Sequence, residues 1–329
     1  MSFFAILLAL LLEQARPLSR GNPVHAGVRA WTVSIRRNFD AGHEHHGWVA
    51  WGLAVIPVTL LAVGVYWLLM RWVGWPVAML WNVLILYVTL GFRQFSHHFT
   101  RIRDALETGN EQAAREGLAD WRQVETTEVP RSEVVRHVIE YSVISAHRHV
   151  FGVLFWFAVF AALGLGPAGA VLYRMAEYLS RYWSHKSIGG ALPVSERLQN
   201  SAKKAWTWID WLPARMTALS FAIVGSFEDA IDGWRFHTNH FPNDNDGVVL
   251  AATAGAINIR LGGSALKMRD DLQTAPLYGD DINWEQAPGV TPGREAEVSH
   301  LRSVVGLVWR SVVVWMLLLA LLSLARLLG

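Results

Sequence analysis

Two long uncharged stretches near the start of the chain are separated by one short break. Residues 48–70, "WVAWGLAVIPVTLLAVGVYWLLM", and residues 72–92, "WVGWPVAMLWNVLILYVTLGF", contain no charged residue. A helix needs roughly 20 residues to cross the hydrocarbon core, so each stretch is long enough to span a membrane. Trp48, Trp67 and Trp72 lie towards the ends, where amphipathic rings favour the headgroup region. The pattern predicts a membrane hairpin with a tight turn between Arg71 and Pro76.

Further apolar runs predict additional membrane helices. Residues 2–12, "SFFAILLALLL", indicate a short or tilted first helix ending near Glu13, without the basic start and cleavage site of a signal peptide. Residues 150–173 are uncharged but are interrupted by Gly164, Gly166 and Pro167, which favours two helices over one tilted span. Residues 304–325 indicate a terminal membrane helix. The pattern does not decide whether 205–226 and 247–262 cross the membrane or dip into it.

Polar segments separate these runs. Residues 97–148 predict a helical insert, with two short helices around a Thr-Gly-Asn turn, Gly109 as a C-cap, and a third helix after Pro130. Residues 264–303 have the polar, Gly- and Pro-containing composition of a loop. The predicted fold is therefore an all-α integral membrane protein with a single domain over residues 1–329. We expect a polytopic helical bundle of about five to seven membrane or re-entrant helices, with cytoplasmic helical segments.

Composition supports the membrane class, and charge sets an orientation. Hydrophobic residues make up 52% of the 329 positions and charged residues 17%, below the roughly 25% of a soluble domain. Cysteine is absent, which excludes disulfides and thiolate chemistry, and the net charge of +2 does not suggest a nucleic-acid partner. Lys and Arg concentrate in 13–46, 96–148 and 181–205, which places these loops in the cytoplasm. We expect a multi-pass protein of the bacterial inner membrane, with the lipid bilayer as a partner and a homo-oligomer or membrane partner as an open alternative.

An acid and an arginine occur at the start of the apolar segment "IDWLPARMTALSFAIVG", residues 209–225. A charge inside a membrane segment is costly and usually faces a cavity or a partner, which makes Asp210 and Arg215 candidate functional residues. They fit an amphipathic entry helix equally well, with Asp210 favoured by the helix dipole and Arg215 reaching the headgroups.

The stretch "NIRLGG", 258–263, pairs Arg260 with Gly262 and Gly263 after a helix rich in small residues. Backbone N–H groups beside a guanidinium can cradle a phosphate, although a glycine C-cap is the simpler interpretation.

Other residues suggest metal binding, each with a plainer alternative. The histidines of "HEHH", 43–46, and His97-His98 flank the first hairpin and fit either a metal site or titrating juxtamembrane groups, so no metal ligand is assigned. Glu140, Glu177 and the acids in 228–232 have the chemistry that Mg²⁺ prefers, but acids on a solvated helix face are commoner.

In order along the chain, these elements resemble the cobalamin-biosynthesis CobD/CbiB family of adenosylcobinamide-phosphate synthases and its relatives, the AmpE proteins. The resemblance covers most of the chain. Its main segments are "LLLEQARPLSRGNPVHAGVRAW", "RIRDALETGNEQAAREGLA", "FGVLFWFAVFAALGLGPAGAVLYRMAEYL", "IDWLPARMTALSFAIVGSFEDAIDGWR" and "AATAGAINIRLGGSALKMRD". The Trp-Leu-Pro-Ala-Arg and Arg-Leu-Gly-Gly elements are its most specific parts.

The resemblance implies an inner-membrane ligase that joins adenosylcobyric acid, a corrinoid substrate, to aminopropanol or its phosphate through an amide, with ATP and Mg²⁺ for activation. For this activity the candidate catalytic residues are Glu140, Glu177 and Asp210. Substrate or phosphate binding is implied for a second group: His25, Arg215, Arg260, Gly262 and Gly263. It also predicts that Pro213 stops its helix, so that Arg215 faces a cytoplasmic pocket.

The chain departs from the family pattern at several acidic positions. Ile144, Ser145 and Arg148 stand where the family has Glu, Asn and Asp, and Glu177 and Ser180 stand where it has Asn and Asp. The Tyr-Gly-Gly near the end of the family pattern is "LYGDD" here. Lost acids weaken Mg²⁺ binding, and an arginine repels the ion. The sequence therefore leaves two hypotheses, a ligase in which another acid compensates and a non-catalytic, AmpE-like membrane protein that senses or signals.

Overall fold

The computed structural model is mainly helical over the residues it describes, 2–16, 18, 22–40, 44–122, 124–184, 194–264, 266 and 289–328, with side chains at all but 44, 45, 92–95 and 326–328. No β-strand occurs among these residues, and 259–263 pairs with 290–294 only through isolated bridges. The α-helices are α1 (Ser2–Ala15), α2 (Pro23–Phe39), α3 (Glu44–Trp72), α4 (Trp75–Thr89), α5 (Phe92–Glu107), α6 (Glu111–Arg122), α7 (Arg131–Ala146), α8 (Gly152–Ala162), α9 (Ala168–Ser184), α10 (Glu196–Val224), α11 (Phe227–His237), α12 (Asp244–Ile257) and α13 (Val298–Leu328).

The chain forms two compact units, each assembled from separate stretches of sequence. Unit 1 contains residues 1–91, 152–211 and 318–329, and unit 2 contains residues 92–151 and 212–317. The predicted insert, 97–148, lies entirely within unit 2.

Unit 1 contains the predicted hairpin, but its second helix has 15 residues and is shorter than the uncharged run 72–92 that predicted a span. Helices α3 and α4 are joined at Val73 and Gly74, where Gly74 has φ 103° and donates its N–H to the Leu69 carbonyl at 2.9 Å. Small residues such as Ala54 on α3 allow close packing against Leu179 and Trp183 of α9 in one buried core. Two helices, α8 and α9, replace the single apolar run at 150–173, as the Gly-Pro interruption predicted.

Unit 2 contains the three helices expected after residue 92. The turn between α5 and α6 has φ 75° at Gly109, and the N–H of Asn110 bonds the Ala105 carbonyl at 2.8 Å, so Gly109 ends α5 as predicted. Helix α12 is buried along almost its whole length and packs against α11 and α7. With 14 residues it is shorter than a membrane span, and it ends at Asn258 in the left-handed conformation, φ 51°.

Pro213 does not stop its helix, so that prediction was wrong. Helix α10 continues through it for 29 residues. A proline within a helix has no N–H to offer the carbonyl four residues earlier, here that of Ile209. The indole N–H of Trp156 donates to this carbonyl at 3.0 Å, which replaces the missing helical bond. The proline is therefore tolerated within α10, because the Trp156 side chain donates a hydrogen bond to the carbonyl that would otherwise have no helical partner.

Three helical runs in the described chain are long and apolar enough to cross a membrane: His46–Trp72, Arg131–Ala162 and Val298–Ala325. Two shorter apolar helices, Ser2–Ala15 and Trp75–Thr89, fall below that length. The first and last runs contain the predicted hairpin helix and terminal helix. The middle run includes the third helix of the polar insert, because the backbone stays helical from Arg131 through a π-turn, His147–Phe151, to Ala162. The total of five to seven membrane or re-entrant helices stays a prediction.

Candidate functional site

The predicted site residues divide between the two units. His25, Glu177 and Asp210 lie in unit 1. The others lie in unit 2: Glu140, Arg215, Arg260, Gly262 and Gly263. Each unit therefore presents its own candidate site.

Glu140 is the best-anchored acid of unit 2. It lies on α7, is 2% exposed, and forms an ion pair with Arg136, one turn earlier, at 3.0 and 3.2 Å. Its Oε1 also accepts the backbone N–H of Gly262 at 2.7 Å, and the Nδ1 of His137 lies 3.5 Å from Oε2. The carboxylate is thereby compensated by a cation and by a backbone dipole, as a buried charge requires.

Gly262 and Gly263 have left-handed backbones, φ 89° and 102°, which only glycine adopts without strain. Gly262 donates to Glu140, and Gly263 donates to the Gly289 carbonyl at 3.0 Å. Arg136 donates to the Ser264 carbonyl at 2.9 Å. Because α12 already ends at Asn258, the glycine C-cap interpretation was wrong. These amides bind protein oxygens, and a phosphate-binding role for them stays a prediction.

The cations of unit 2 occupy different surroundings. Arg215 is half-buried on α10 and donates to Asn245 Oδ1 at 3.2 Å, whereas the side chain of Arg260 is exposed. Arg148 forms an ion pair with Asp246 at 2.7 Å. Asp246 is 2% exposed, so its negative charge balances Arg148 in the interior of unit 2.

In unit 1, two arginines on α9 flank Glu177. The carboxylate is 2% exposed; its Oε2 lies 3.1 Å from Arg174 and its Oε1 lies 3.3 Å from Arg181. The three residues are spaced i−3 and i+4, so they occupy one face of the helix. Glu177 therefore forms ion pairs with two arginines.

His25 lies in the first turn of α2 and is half-buried. Asn22 caps the helix by accepting the His25 backbone N–H at 2.9 Å, and its side-chain nitrogen lies 3.1 Å from the His25 Nδ1. Burial lowers the pKa of His25, and the positive charges of Arg174, Arg181 and Arg29 lower it further. The imidazole therefore lies in a positive field.

Asp210 is fully buried and accepts a hydrogen bond from the Tyr173 phenol at 2.8 Å. The Tyr173 ring packs directly against Gly152, where an added Cβ would overlap the ring. This position therefore requires glycine. Tyr173 and Glu177 are four residues apart on α9, which places both on one side of that helix.

The residues for which metal binding was one alternative are only partly described. His43 and the side chains of Glu44 and His45 lie outside the described residues, while His98 stacks on Trp121 with centroids 5.8 Å apart. Among residues with described positions, no three His, Asp or Glu side chains are grouped as metal ligands. The buried carboxylates of Glu140, Glu177 and Asp246 are each held by arginine, so these residues do not fit a dedicated Mg²⁺ site. The acids at 228–232 lie on the exposed face of α11, and "LYGDD" lies outside the described residues.

Several residues that build these sites were missed by the sequence analysis. The spacing of Arg136 with Glu140, and of Arg174 and Arg181 with Glu177, is the helical ion-pair pattern and was available from the sequence. The pairing of Arg148 with Asp246 spans 98 residues, and no local pattern indicates it.

Comparisons with known proteins identify the class. Residues 3–291 match the CobD/Cbib protein family, and the chain belongs to this family. It is 31% identical, over 96% of both chains, to "Cobalamin biosynthesis protein CobD" of Stutzerimonas stutzeri. It is 34% identical to the protein of that name in Chromobacterium violaceum, over 66% of this chain and 60% of the relative. For the Mycobacterium tuberculosis protein of that name the identity is 28%, over 87% and 84%. No solved structure matches the chain significantly.

Proposed function

We propose that this protein acts in cobalamin biosynthesis as an amide-forming ligase, joining the free carboxylate of adenosylcobyric acid to aminopropanol or its phosphate. The observation that carries the proposal is the 31% identity over 96% of both chains with a protein named for cobalamin biosynthesis. The contact of Glu140 with Gly262 supports it, because the bond ties α7 to the Arg-Leu-Gly-Gly element in a buried arrangement.

Amide formation from a carboxylate needs activation, which ATP supplies by phosphorylating the acid. The amine then attacks the acyl carbon, phosphate leaves, and the amine loses a proton to a base. Under this proposal Arg215 and Arg260 bind anionic groups, and Glu140 of the same unit is the candidate base that accepts the proton. Since the described acids do not fit a dedicated Mg²⁺ site, we assign no step to a metal held by the protein.

The experiment is complementation of a bacterium that lacks its cobinamide-phosphate synthase, grown where cobalamin is required and only cobyric acid is supplied. We expect growth with the wild-type chain, loss of growth with Arg215→Ala or Arg260→Ala, and unchanged growth with the exposed-arginine control Arg37→Ala. Immunoblots of membrane fractions establish equal expression and insertion.

A second candidate is a non-catalytic, AmpE-like membrane protein that binds a ligand or partner. The pairing of Arg148 with Asp246 favours it, since a cation stands where the family has an acid. Absence of growth from well-expressed, membrane-inserted protein would reject the ligase and support this candidate.

A further inference from the structure

Two histidine rings lie against each other at the turn between α11 and α12. His237 is the last residue of α11, and His240 ends the short 3-10 turn that follows, Thr238–His240. A 3-10 helix has three residues per turn, so side chains three positions apart lie on the same side. The two ring centroids are 5.0 Å apart, and the ring planes are inclined at 42°. The backbone of this turn therefore brings the two imidazoles into contact.

The turn that carries these rings is fixed by its neighbours. The Thr238 hydroxyl donates to the Trp234 carbonyl at 2.6 Å, and the Phe241 N–H donates to the Thr238 carbonyl at 3.2 Å. Helix α12 packs directly on the turn, because a Cβ added at Gly247 would lie 2.5 Å from the Thr238 carbonyl oxygen. The two imidazoles are thus held on a braced backbone, as a preorganised binding site requires.

Each ring also has a buried nitrogen whose hydrogen-bonding capacity is unused. The Nδ1 atoms of His237 and His240 are shielded from solvent, and neither has a hydrogen-bond partner in the part of the chain that the structure describes. A buried polar atom without a partner is unfavourable, and an ion or a water molecule that binds it removes that penalty. Burial and the charge of His240 lower the pKa of His237, which favours the neutral imidazole that binds metals.

The separation of the rings matches two ligands of one metal ion. Two imidazoles bound to a tetrahedral zinc ion at about 2.1 Å per bond have ring centroids roughly 5 Å apart. Imidazole nitrogen is a good ligand for zinc, copper and nickel, whereas Mg²⁺ takes oxygen. Both histidines are half-buried, so an ion reaches them from solution. Since no third His, Asp or Glu is grouped with them among the described residues, water would complete the coordination.

The His240 ring links this pair to the Arg-Leu-Gly-Gly element. A Cβ added at Gly289 would lie 3.0 Å from the His240 Cδ2, so the ring packs against the backbone of residue 289. The Gly289 carbonyl in turn accepts the N–H of Gly263 at 3.0 Å. An ion that fixes the His240 ring therefore also supports the backbone to which Gly263 is bonded.

We propose that His237 and His240 bind one divalent transition-metal ion of the zinc type through their ring nitrogens. The ion joins the end of α11 to the turn that follows, and so stabilises the surface against which Gly289 packs. This structural site is separate from the chemistry assigned to the ligase and does not depend on it.

The first test is zinc binding by the full chain, stripped of metal with a chelator and reconstituted in phosphatidylcholine nanodiscs. Isothermal titration should show a saturable site whose affinity falls about tenfold or more in His237→Gln, because one of two ligands is lost. Zinc should raise the melting temperature of the wild type but not that of His237→Gln. The control His97→Gln, which removes an exposed histidine of the same unit, should bind zinc as the wild type does.

A second test uses the absence of cysteine from the chain. In His237→Cys the new thiolate is the only one in the protein, and thiolate replaces imidazole as a ligand of zinc-type ions. Titration with Co²⁺ should therefore give thiolate-to-cobalt charge-transfer absorption, and His240→Gln added to this variant should abolish it. This signal tests the pair even if His237→Gln is poorly folded.

Equal zinc affinity in the wild type and a folded His237→Gln would overturn the proposal, and so would cobalt absorption that persists after His240→Gln. Loss of zinc binding in His97→Gln with full binding in His237→Gln would assign the ion elsewhere and equally reject the pair. Complementation is a separate readout. Zinc binding without growth would reject the ligase alone, and growth without zinc binding would reject this site alone.

Discussion

Units 1 and 2 stabilise their buried carboxylates in different ways. In unit 2 the acids are matched closely with cations: Glu140 pairs with Arg136, and Asp246 pairs with Arg148. In unit 1, Glu177 has two arginines, and Arg29 and His25 lie in the same positive field. Glu140 and Asp246 of unit 2 are therefore each paired with one arginine, whereas Glu177 of unit 1 is paired with two.

The sequence shows the same contrast over each whole unit. Unit 1 contains 13 Lys and Arg against six Asp and Glu, a formal charge of +7, and unit 2 contains 16 against 21, a formal charge of −5. The two values add to the net +2 of the chain, which conceals the difference. A small net charge thus says little about partners when opposite charges are segregated. Anionic ligands and anionic lipid surfaces are both attracted to the unit with the positive excess.

The largest expected effect comes from breaking a matched pair in unit 2. Arg148→Ala leaves the Asp246 charge buried, and we expect the free energy of unfolding to fall by about 3–5 kcal/mol. The double variant Arg148→Met, Asp246→Leu removes both charges and should recover most of this loss. Denaturant titration of the detergent-solubilised protein, followed by tryptophan fluorescence, measures both.

The matched control for this pair is Arg302→Ala, which breaks the exposed contact with Glu107 in the same unit. Arg302 is 74% exposed at its side chain, so its loss should change stability by less than about 1 kcal/mol. Equal effects of Arg148→Ala and Arg302→Ala would show that the Arg148 pair is not buried in the folded protein, and the contrast between the units would fail.

Local patterns predicted the elements better than they predicted the site. The hairpin of α3 and α4, the Gly109 turn and the division between α8 and α9 follow from apolar run length and from glycine and proline positions, which act within a few residues. The continuation of α10 through Pro213 depends on the indole of Trp156, which is remote in sequence. No pattern near Pro213 indicates that a side chain takes the place of its missing N–H.

The charge pairs show the same limit. Arg136 with Glu140 follows helical spacing, but the bond from Gly262 to Glu140 and the pair of Arg148 with Asp246 join residues about 100 or more positions apart. An acid that looks like a metal ligand in the sequence can be neutralised by an arginine that only the fold brings near. For this reason the roles of the predicted site residues stay predictions, although their surroundings are now defined.

A smaller effect on stability is expected from substituting Gly152, which lies against Tyr173, the hydrogen-bond donor to Asp210. Gly152→Ala places a methyl group against the Tyr173 ring, and overpacking of this kind costs about 1–3 kcal/mol. The control is Gly64→Ala on α3, where a new Cβ meets no atom within 4 Å and stability should be unchanged or slightly higher. Thermal unfolding of the two variants compares them directly. Similar melting temperatures for Gly152→Ala and Gly64→Ala would mean that Tyr173 does not pack tightly beside residue 152. Glu177 would then be the one acid of unit 1 discussed above whose surroundings remain supported.

The smallest expected effect is a pH dependence that reports the positive field of unit 1. The pKa of His25 is lowered by burial and by Arg174, Arg181 and Arg29, so the folded state binds this proton less tightly than the unfolded chain does. The stability that this adds is fully present above the unfolded value of about 6.5, and it is lost as the pH falls from there through the folded pKa. Wild type should therefore lose more thermal stability between pH 7 and pH 5 than His25→Gln, whose side chain cannot be protonated.

The source of that field is tested by repeating the comparison in the Arg29→Gln background. There the effect of His25→Gln on the pH dependence of the melting temperature should shrink, because one of the repelling charges is gone. Parallel melting curves for wild type and His25→Gln would mean that the cations of α2 and α9 do not act on this imidazole. The positive field that lowers the pKa of His25 would then be absent.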